Sequence, residues 1–279
     1  MGDERENVGK GISKMVRIIL LNVVLAGAML AGCATPDAAD LLAGKRLSPP
    51  PADHVSILTH PDRPAADLTE DKVRKPTEVL TFIGIEYGMT VVELEAGRGY
   101  YTELFAHTVG PEGKVYMHNP LAFDAFFGDA IVERLDDRLD NVQAMRTNFD
   151  EITVADGSAD LVTWFLGPHE LWFRPESAPI EAFGNPDKAF AEIVRVLKPG
   201  GVFVAIDHEA AAGAPAASGS DTHRIDRAIV LDHAKRAGLE LVEESDLFAN
   251  PADDYTLSVF DPSVRRKTDR FVFKFRKAG

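Results

Sequence analysis

From about residue 54 onward, hydrophobic positions follow two alternating patterns. Short apolar runs are typical of buried strands, and the segments between them carry apolar residues at helical spacing. The predicted strands are residues 90–96, 113–119, 141–148, 159–167, 202–207, 239–248 and 270–277. The predicted helices are residues 67–85, 100–110, 122–137, 187–201 and 220–238. Strands separated by helices predict an α/β fold with a doubly wound, mostly parallel seven-stranded sheet.

Several residues mark the predicted boundaries of these elements. Pro76 opens the second half of the first helix, the turn 199–201 stops the fourth helix, and Ser220 or Asp221 caps the fifth. The last two strands are joined by a long loop without a helix. We therefore expect them to pair antiparallel.

The segment VVELEAGRGYY, residues 91–101, includes most of the first predicted strand, a loop and the start of the next helix. The carboxyl end of a strand facing a helix N-terminus forms a crevice with unpaired amides, which favours a bound ligand. Gly97 and Gly99 allow the backbone to approach such a ligand closely. The alternative is a tight strand–helix turn that binds nothing.

Three segments in this order resemble class I S-adenosylmethionine-dependent methyltransferases. They are VVELEAGRGYYTELFA, DGSADLVTWFLGPHEL and IVRVLKPGGVFVAID. The resemblance extends over residues 67–279. Within the family, the sequence resembles an exported subgroup of predicted methyltransferases. The resemblance implies a Rossmann-like methyltransferase fold, S-adenosylmethionine as the cofactor, and methyl transfer to a small-molecule acceptor.

The resemblance also implies the cofactor-binding residues. Glu93 matches the family's acid that meets the ammonium side of the cofactor. Glu95 falls on the family's first glycine, so its carboxylate either points away from the ligand or binds the ammonium. Asn119 replaces the ribose-binding acid, and Asn148 lies near the adenine-binding aspartate. The predicted set is Glu93, Glu95, Gly97, Gly99, Tyr101, Asn119, Asn148, Asp150 and Phe165.

Two histidines follow predicted strands at the edge where open α/β sheets bind ligands. His169 follows the fourth strand and His208 the fifth, and either could act as a general base on an acceptor. Alternatively, both are solvated or stabilise loops. No pair of histidines has the i, i+4 spacing of a helical metal site, and a single cysteine excludes paired-cysteine zinc sites, so no metal site is predicted.

The N-terminal segment is typical of an export signal. Basic residues precede an apolar run over residues 18–30, followed by Leu30-Ala31-Gly32-Cys33. This resembles the bacterial lipobox, which implies a signal peptide over residues 1–32 and a lipid on Cys33, the only cysteine. Ala34 then implies the periplasmic face of the outer membrane. A plain secretion signal, or an N-terminal anchor with an incidental cysteine, is the alternative. Residues 33–53 are predicted to be a tether and residues 54–279 the methyltransferase-like domain.

The net charge of −14 argues against nonspecific nucleic-acid binding, because phosphates would be repelled. A basic cluster near the C-terminus is either a solvated edge hairpin or a site for an anionic partner. Three functions remain open, and one of them is a structural tether of the cell envelope that binds no small ligand. The other two involve the methyltransferase fold. One is an exported, lipid-anchored methyltransferase. The other is a degenerate methyltransferase fold that acts as a periplasmic binding module, since the signal directs it away from cytoplasmic S-adenosylmethionine.

Overall fold

Seven strands form one sheet in the computed structural model, which describes residues 53–174 and 183–279. The strands are β1 (Thr90–Leu94), β2 (Lys114–His118), β3 (Val142–Met145), β4 (Ala159–Phe165), β5 (Leu197–His208), β6 (Leu239–Glu244) and β7 (Arg270–Lys277). Their order is β3-β2-β1-β4-β5-β7-β6. The first five strands pair in parallel, and β7 is antiparallel to both β5 and β6. The predicted fold class and the antiparallel C-terminal strand are confirmed.

The described residues, 53–174 and 183–279, also form eight α-helices. They are α1 (His54–Leu58), α2 (Ala65–Arg74), α3 (Pro76–Ile83), α4 (Tyr100–Val109), α5 (Asp124–Leu135), α6 (Pro186–Val196), α7 (Ser218–Asp221) and α8 (Arg227–Ala237). Two short 3-10 helices cover Leu121–Phe123 and Pro168–Trp172. None of the helices in the described residues is long and apolar enough to cross a membrane.

Helices cover both faces of the sheet, as successive side chains of each strand point to opposite sides. Val92 of β1 and Phe203 of β5 belong to the core that includes α6 and α8. Their neighbours Val91 and Val204 belong to the core that includes α3 and α4. Strands buried on both faces explain the continuous apolar runs in the sequence.

Residues 67–85 form two helices instead of the single one that the periodicity predicts. Lys75 adopts a left-handed conformation with φ of 47° between α2 and α3. Its ammonium donates to the Leu247 carbonyl at 2.5 Å, which holds the break in place. The prediction that Pro76 opens the second half is confirmed, because it is the first residue of α3.

The last helix is shorter than its predicted range of 220–238. It is capped by Asp226, whose carboxylate accepts from the Ala228 amide at 2.9 Å. Ser220 and Asp221, the predicted caps, lie in the separate helix α7. The predicted cap is therefore wrong, and Asp226 replaces it because its side chain reaches the first free amides of α8.

The helix predicted over residues 187–201 also ends earlier. α6 stops at Val196, and Leu197 is extended and pairs with Ala159 of β4. The turn 199–201 therefore lies within an irregular start of β5 and does not itself stop the helix.

The basic C-terminal cluster lies on β7 and on the loop before it, within the antiparallel β6–β7 pair at the edge of the sheet, where β6 is the outermost strand. Several of its cations have partners within the protein. Lys274 donates to Glu243 at 2.5 Å, and Lys277 donates to the carbonyls of Val194 and Leu197, both at 2.7 Å. The proposed signal peptide, Cys33 and the tether up to residue 52 lie outside the described residues.

Candidate ligand-binding site

A cavity of about 650 Å³ lies at the carboxyl end of β1. Its floor includes the glycine-rich loop, and its walls come from α2, α4, α5, the end of β4 and the loop before β7. Five predicted cofactor-binding residues line it: Glu93, Glu95, Gly97, Tyr101 and Phe165. The structure thus places the strand–loop–helix motif at the crevice that the sequence predicts.

Gly97 and Gly99 have different roles in the loop, although both have positive φ. Gly97 has φ of 57°, and an added Cβ would meet no atom within 4 Å, so this backbone position faces open space. Gly99 has φ of 80°, and an added Cβ would lie 3.0 Å from side-chain atoms of Arg134 and Met117. Gly97 can therefore meet a ligand, whereas Gly99 permits close packing of the loop against its neighbours.

Asn119 holds the loop instead of lining the cavity. Its side-chain oxygen accepts from the Gly97 amide at 2.8 Å, and its side-chain nitrogen donates to the Gly97 carbonyl at 3.1 Å. With only 1% of its surface exposed, it has no free face for the ribose that the resemblance implies. Its contribution to a ligand is to fix the backbone of Gly97.

Glu93 is a buried carboxyl at the end of β1. The Thr102 hydroxyl donates to it at 2.5 Å. Burial raises the pKa of Glu93 to about 8, although the Thr102 hydrogen bond and the nearby Arg134 oppose that rise. The carboxyl is therefore mostly protonated at neutral pH until a cationic group approaches it.

Glu95 takes the left-handed backbone conformation, with φ of 53°. Its carboxylate accepts from the indole nitrogen of Trp164 at 3.2 Å. Burial raises its pKa well above the usual range, and the negative charge of Glu170 adds to the rise. Of the two predicted orientations, the structure shows the side chain directed at Trp164, while the residue still lines the cavity.

Tyr101 and Phe165 form an apolar wall, with ring centroids 5.0 Å apart. The Tyr101 hydroxyl donates to the Arg74 carbonyl at 2.7 Å, and the Tyr100 hydroxyl donates to Asp71 at 2.6 Å. These two tyrosines connect the start of α4 to α2. They fix the helix that closes one side of the cavity.

A buried ion-pair network, which the sequence analysis missed, supports the roof of the cavity. Arg134 of α5 donates to Asp67 of α2 at 2.7 Å and to Glu103 of α4 at 2.6 Å. Its Nε also donates to the Arg98 carbonyl in the glycine-rich loop at 2.9 Å. Because these partners are far apart in the chain, no spacing in the sequence signals their contact.

The loop between β6 and β7 closes another side of the cavity. Arg265 and Arg266 line it, and Arg266 donates to Glu70 of α2 at 2.6 Å. This contact was also absent from the sequence analysis. It brings two arginines of the C-terminal basic cluster to the candidate site.

The other predicted cofactor-binding residues do not line the cavity in the described part of the chain. Asp150 accepts from the Asn185 amide at 2.9 Å and so anchors the residue that caps α6. Asn148 lies two residues before it, and its backbone carbonyl accepts from the Glu151 amide. Both residues contribute to the loop after β3 instead of to the cavity wall.

His208, one of the two predicted general bases, is buried away from the cavity. Its Nδ1 lies 2.7 Å from the Thr268 hydroxyl. Burial lowers the pKa of His208 well below its usual value, and the nearby Arg270 lowers it further. The structure gives it a packing and hydrogen-bonding role.

His169, the other predicted base, lies in a buried polar cluster at the ends of β4 and β5. Its Nδ1 is 2.8 Å from Asp207, and its Nε2 is 3.3 Å from Glu170 and 3.2 Å from Nδ1 of His223. Burial alone would lower the pKa of His169, but Asp207 and then Glu170 hold it well above the usual value. His169 does not line the cavity.

Comparison with known proteins finds similar sequences for part of the chain. Residues 92–205 match the model described as "Methyltransferase domain". The ubiquinone/menaquinone biosynthesis C-methyltransferase UbiE of Hydrogenovibrio crunogenus is 33% identical over 130 residues, which cover 44% of this chain and 44% of that protein. UbiE of Idiomarina loihiensis is 29% identical over 124 residues, 42% of each chain. The match thus spans less than half the length of these relatives.

Solved structures share the fold over most of the chain. A SAM-dependent methyltransferase from Aquifex aeolicus has a TM-score of 0.53 and 20% identity, covering 80% of this chain and 98% of that one. A geranyl diphosphate methyltransferase in complex with SAM has a TM-score of 0.53 and 16% identity, covering 83% and 97%. The [4+2]-cyclase SpnF has a TM-score of 0.52 and 19% identity, covering 77% and 82%. At these identities the likeness shows the fold alone.

Proposed function

We propose, from the match of residues 92–205 to a methyltransferase domain, that this chain binds S-adenosylmethionine and transfers its methyl group to an acceptor. The predicted cofactor agrees with the fold neighbours, one of which is a complex with SAM. The observation that carries the proposal is the cavity in which Glu93 and Gly97 face the same space.

The cavity residues suit the two charged ends of the cofactor's methionine group. Glu93 supplies a carboxyl for the ammonium, and the N-terminal end of α4, where the helix dipole is positive, is suited to an anionic carboxylate. The bound cofactor would supply an electrophilic methyl group on a sulfonium. The protein's part is chiefly to align donor and acceptor, which requires few catalytic side chains.

Ligand-induced stabilisation tests this proposal directly. A ligand that binds only the folded state raises the apparent unfolding temperature. We expect both S-adenosylmethionine and S-adenosylhomocysteine to raise it for the purified chain, and adenosine monophosphate, which lacks the methionine group, to have a smaller effect. Equal effects of all three would contradict binding through Glu93 and the loop.

A second candidate is a binding module without catalysis, and Glu95 is the observation that favours it. A carboxylate occupies the position where the family has its first glycine, and the residue lines the cavity. One fold neighbour bears the name of a cyclase instead of a methyltransferase, and a fold by itself does not fix an activity.

Isotope transfer separates the two candidates. The protein is incubated with methyl-labelled S-adenosylmethionine and a lipid and quinone extract of the cell envelope. An enzyme forms S-adenosylhomocysteine together with a labelled acceptor, whereas a binding module releases the cofactor unchanged. The extract is chosen because the relatives act in quinone biosynthesis by name.

We also propose that the protein is exported and attached to the membrane through a lipid on Cys33. The support is the segment Leu30-Ala31-Gly32-Cys33 after an apolar run, together with the absence of any other cysteine in the chain. The proposed location is the periplasmic face of the outer membrane. An exported enzyme of this kind needs a supply of S-adenosylmethionine outside the cytoplasm.

A further inference from the structure

The cluster around His169 contains three metal-binding side chains that converge on one point. These are His169 and Glu170 on the 3-10 helix after β4, and His223 after α7. We propose that they form a binding site for a divalent transition-metal ion. The site lies apart from the residues that line the cavity, and nothing in the proposed methyl transfer requires it.

The distances between the three donor atoms match those of a metal's ligands. Nε2 of His169 lies 3.3 Å from Oε1 of Glu170 and 3.2 Å from Nδ1 of His223. The third side of the triangle, from His223 Nδ1 to Glu170 Oε1, is 3.5 Å. Two ligands bound to zinc at about 2.0–2.1 Å with a tetrahedral angle lie about 3.3 Å apart. The triangle is therefore already the size that such an ion requires.

Asp207 supplies the outer support that metal-bound histidines usually have. Its carboxylate accepts from the His169 backbone amide at 2.7 Å and contacts Nδ1 of His169 at 2.8 Å. Because an ionised carboxylate can only accept, Nδ1 carries the proton in this contact. A metal ion that displaces the proton on Nε2 would meet the lone pair of that atom at the centre of the triangle, as in carboxylate–histidine–metal arrangements.

Glu170 provides an independent indication that a ligand belongs here. The residue is 8% exposed, and its Oε2 is buried without a hydrogen-bond partner among the described residues. A buried carboxylate oxygen without a partner is costly, and a metal ion held by both carboxylate oxygens of Glu170 would satisfy it. The carboxylate of Asp207, which contacts His169, further favours a cation at this point.

His223 leaves a route from solvent to the site. Its side chain is 16% exposed, compared with 4% for His169. Its φ of 53° is uncommon for histidine and turns the residue out of the regular chain direction after α7. The ring is held by Phe173 and Phe260, at centroid distances of 4.7 and 4.8 Å.

The donor set defines the kind of metal. Two imidazole nitrogens and one carboxylate oxygen suit first-row transition metals such as Zn²⁺ and Fe²⁺, whereas Mg²⁺ and Ca²⁺ prefer all-oxygen sites. Three protein ligands also leave at least one coordination position for water or another molecule, as in catalytic metal sites and unlike closed structural ones.

Zinc binding to the full-length chain tests the proposal. The purified protein is stripped with a chelator and titrated with Zn²⁺ in competition with a chromogenic chelator. We expect one Zn²⁺ per chain. Glu170→Gln and His223→Asn should each weaken Zn²⁺ affinity by about tenfold or more, since each removes one of three ligands. Asparagine is chosen at position 223 because it tolerates the left-handed backbone.

His233→Asn is the matched control. His233 also lies 2.8 Å from a carboxylate, that of Asp187, but it is outside the cluster. Its Zn²⁺ affinity should equal that of the wild type. Equal Zn²⁺ binding by all the variants, or no binding by a wild type with native circular dichroism, would overturn the proposal. Because no S-adenosyl ligand is used, this result is independent of the proposed methyl transfer.

Discussion

At the scale of single residues, Glu93 is the group through which pH should act on the cavity. Its pKa of about 8 means that the empty site holds a proton at neutral pH. An ammonium group placed against Glu93 favours the ionised carboxylate, so it lowers this pKa and expels the proton. Affinity for a ligand that carries an ammonium should therefore rise with pH until the carboxyl is ionised in the empty site as well.

Calorimetry detects this proton. At about pH 7, S-adenosylhomocysteine binding should release up to about one proton, seen as a heat that depends on the ionisation enthalpy of the buffer. Glu93→Gln should remove the buffer dependence, because glutamine has no proton to lose. Proton uptake, or a release that persists in Glu93→Gln, would show that the ammonium does not meet Glu93.

Whether the Glu95 side chain blocks the cavity can be tested with glycine, because the backbone at Glu95 has the left-handed conformation that glycine adopts easily. A non-glycine residue in this region costs about 1–3 kcal/mol, so Glu95→Gly should relieve strain while losing the hydrogen bond to Trp164. With the carboxylate directed at Trp164, we expect S-adenosylhomocysteine affinity to change by less than about threefold. A gain of about tenfold or more would mean that Glu95 blocks the site and would favour the binding-module alternative.

At the scale of elements, Arg134 ties α5 to α2, α4 and the glycine-rich loop. Arg134→Met leaves the carboxylate of Asp67 without its buried cation and leaves Glu103 paired with Arg138 alone, so the free energy of unfolding should fall by about 3–5 kcal/mol. Urea denaturation measures the loss. Arg236→Met is the control: its ion pairs with Asp187 and Asp232 lie on the surface, where solvent screens them, and the loss should be much smaller. Similar losses in both variants would argue against the network's role.

The sequence predicts the central strands of the sheet well because strands such as β1 and β4 are buried on both faces and their apolar runs are visible. It misses the break at Lys75, because the apolar period continues across it and the break is held by the distant Leu247 carbonyl. The roof of the cavity and the His169 cluster depend on similarly distant contacts. Arg134 meets Asp67 and His169 meets His223 only after folding, and no local pattern carries that information.

The positions of Glu93 in β1 and Gly97 in the loop at the cavity could be predicted, because strand, loop and helix are contiguous in the chain. The resemblance implies that Asn119 contacts the ribose, but its side chain is hydrogen-bonded to the backbone of Gly97. A motif match shows which residue occupies a given position of the family's pattern. Whether its side chain is free for a ligand depends on hydrogen bonds that the sequence does not show.

At the scale of the whole molecule, the proposed location rests on Cys33. Cys33→Ser removes the only sulfur that could receive a lipid at this position. We expect the variant to lose labelling by a fatty-acid probe and to remain unprocessed or to appear in the soluble periplasmic fraction. A variant that is still processed at the same site and still sediments with membranes would contradict lipid attachment at Cys33.

The central claim is that the glycine-rich loop at the end of β1 binds an S-adenosyl ligand, and Gly97 gives its most direct test. Gly97→Ala places a methyl group in the open cavity, while Gly157→Ala makes the same change at another glycine with φ of 57° and no atom within 4 Å of the added Cβ. Both should lose about 1–2 kcal/mol of stability from the left-handed backbone. Isothermal titration with S-adenosylhomocysteine should show wild-type affinity for Gly157→Ala and a loss of about tenfold or more for Gly97→Ala. Equal affinities in the two variants, or no binding to the wild type at millimolar ligand, would contradict the account.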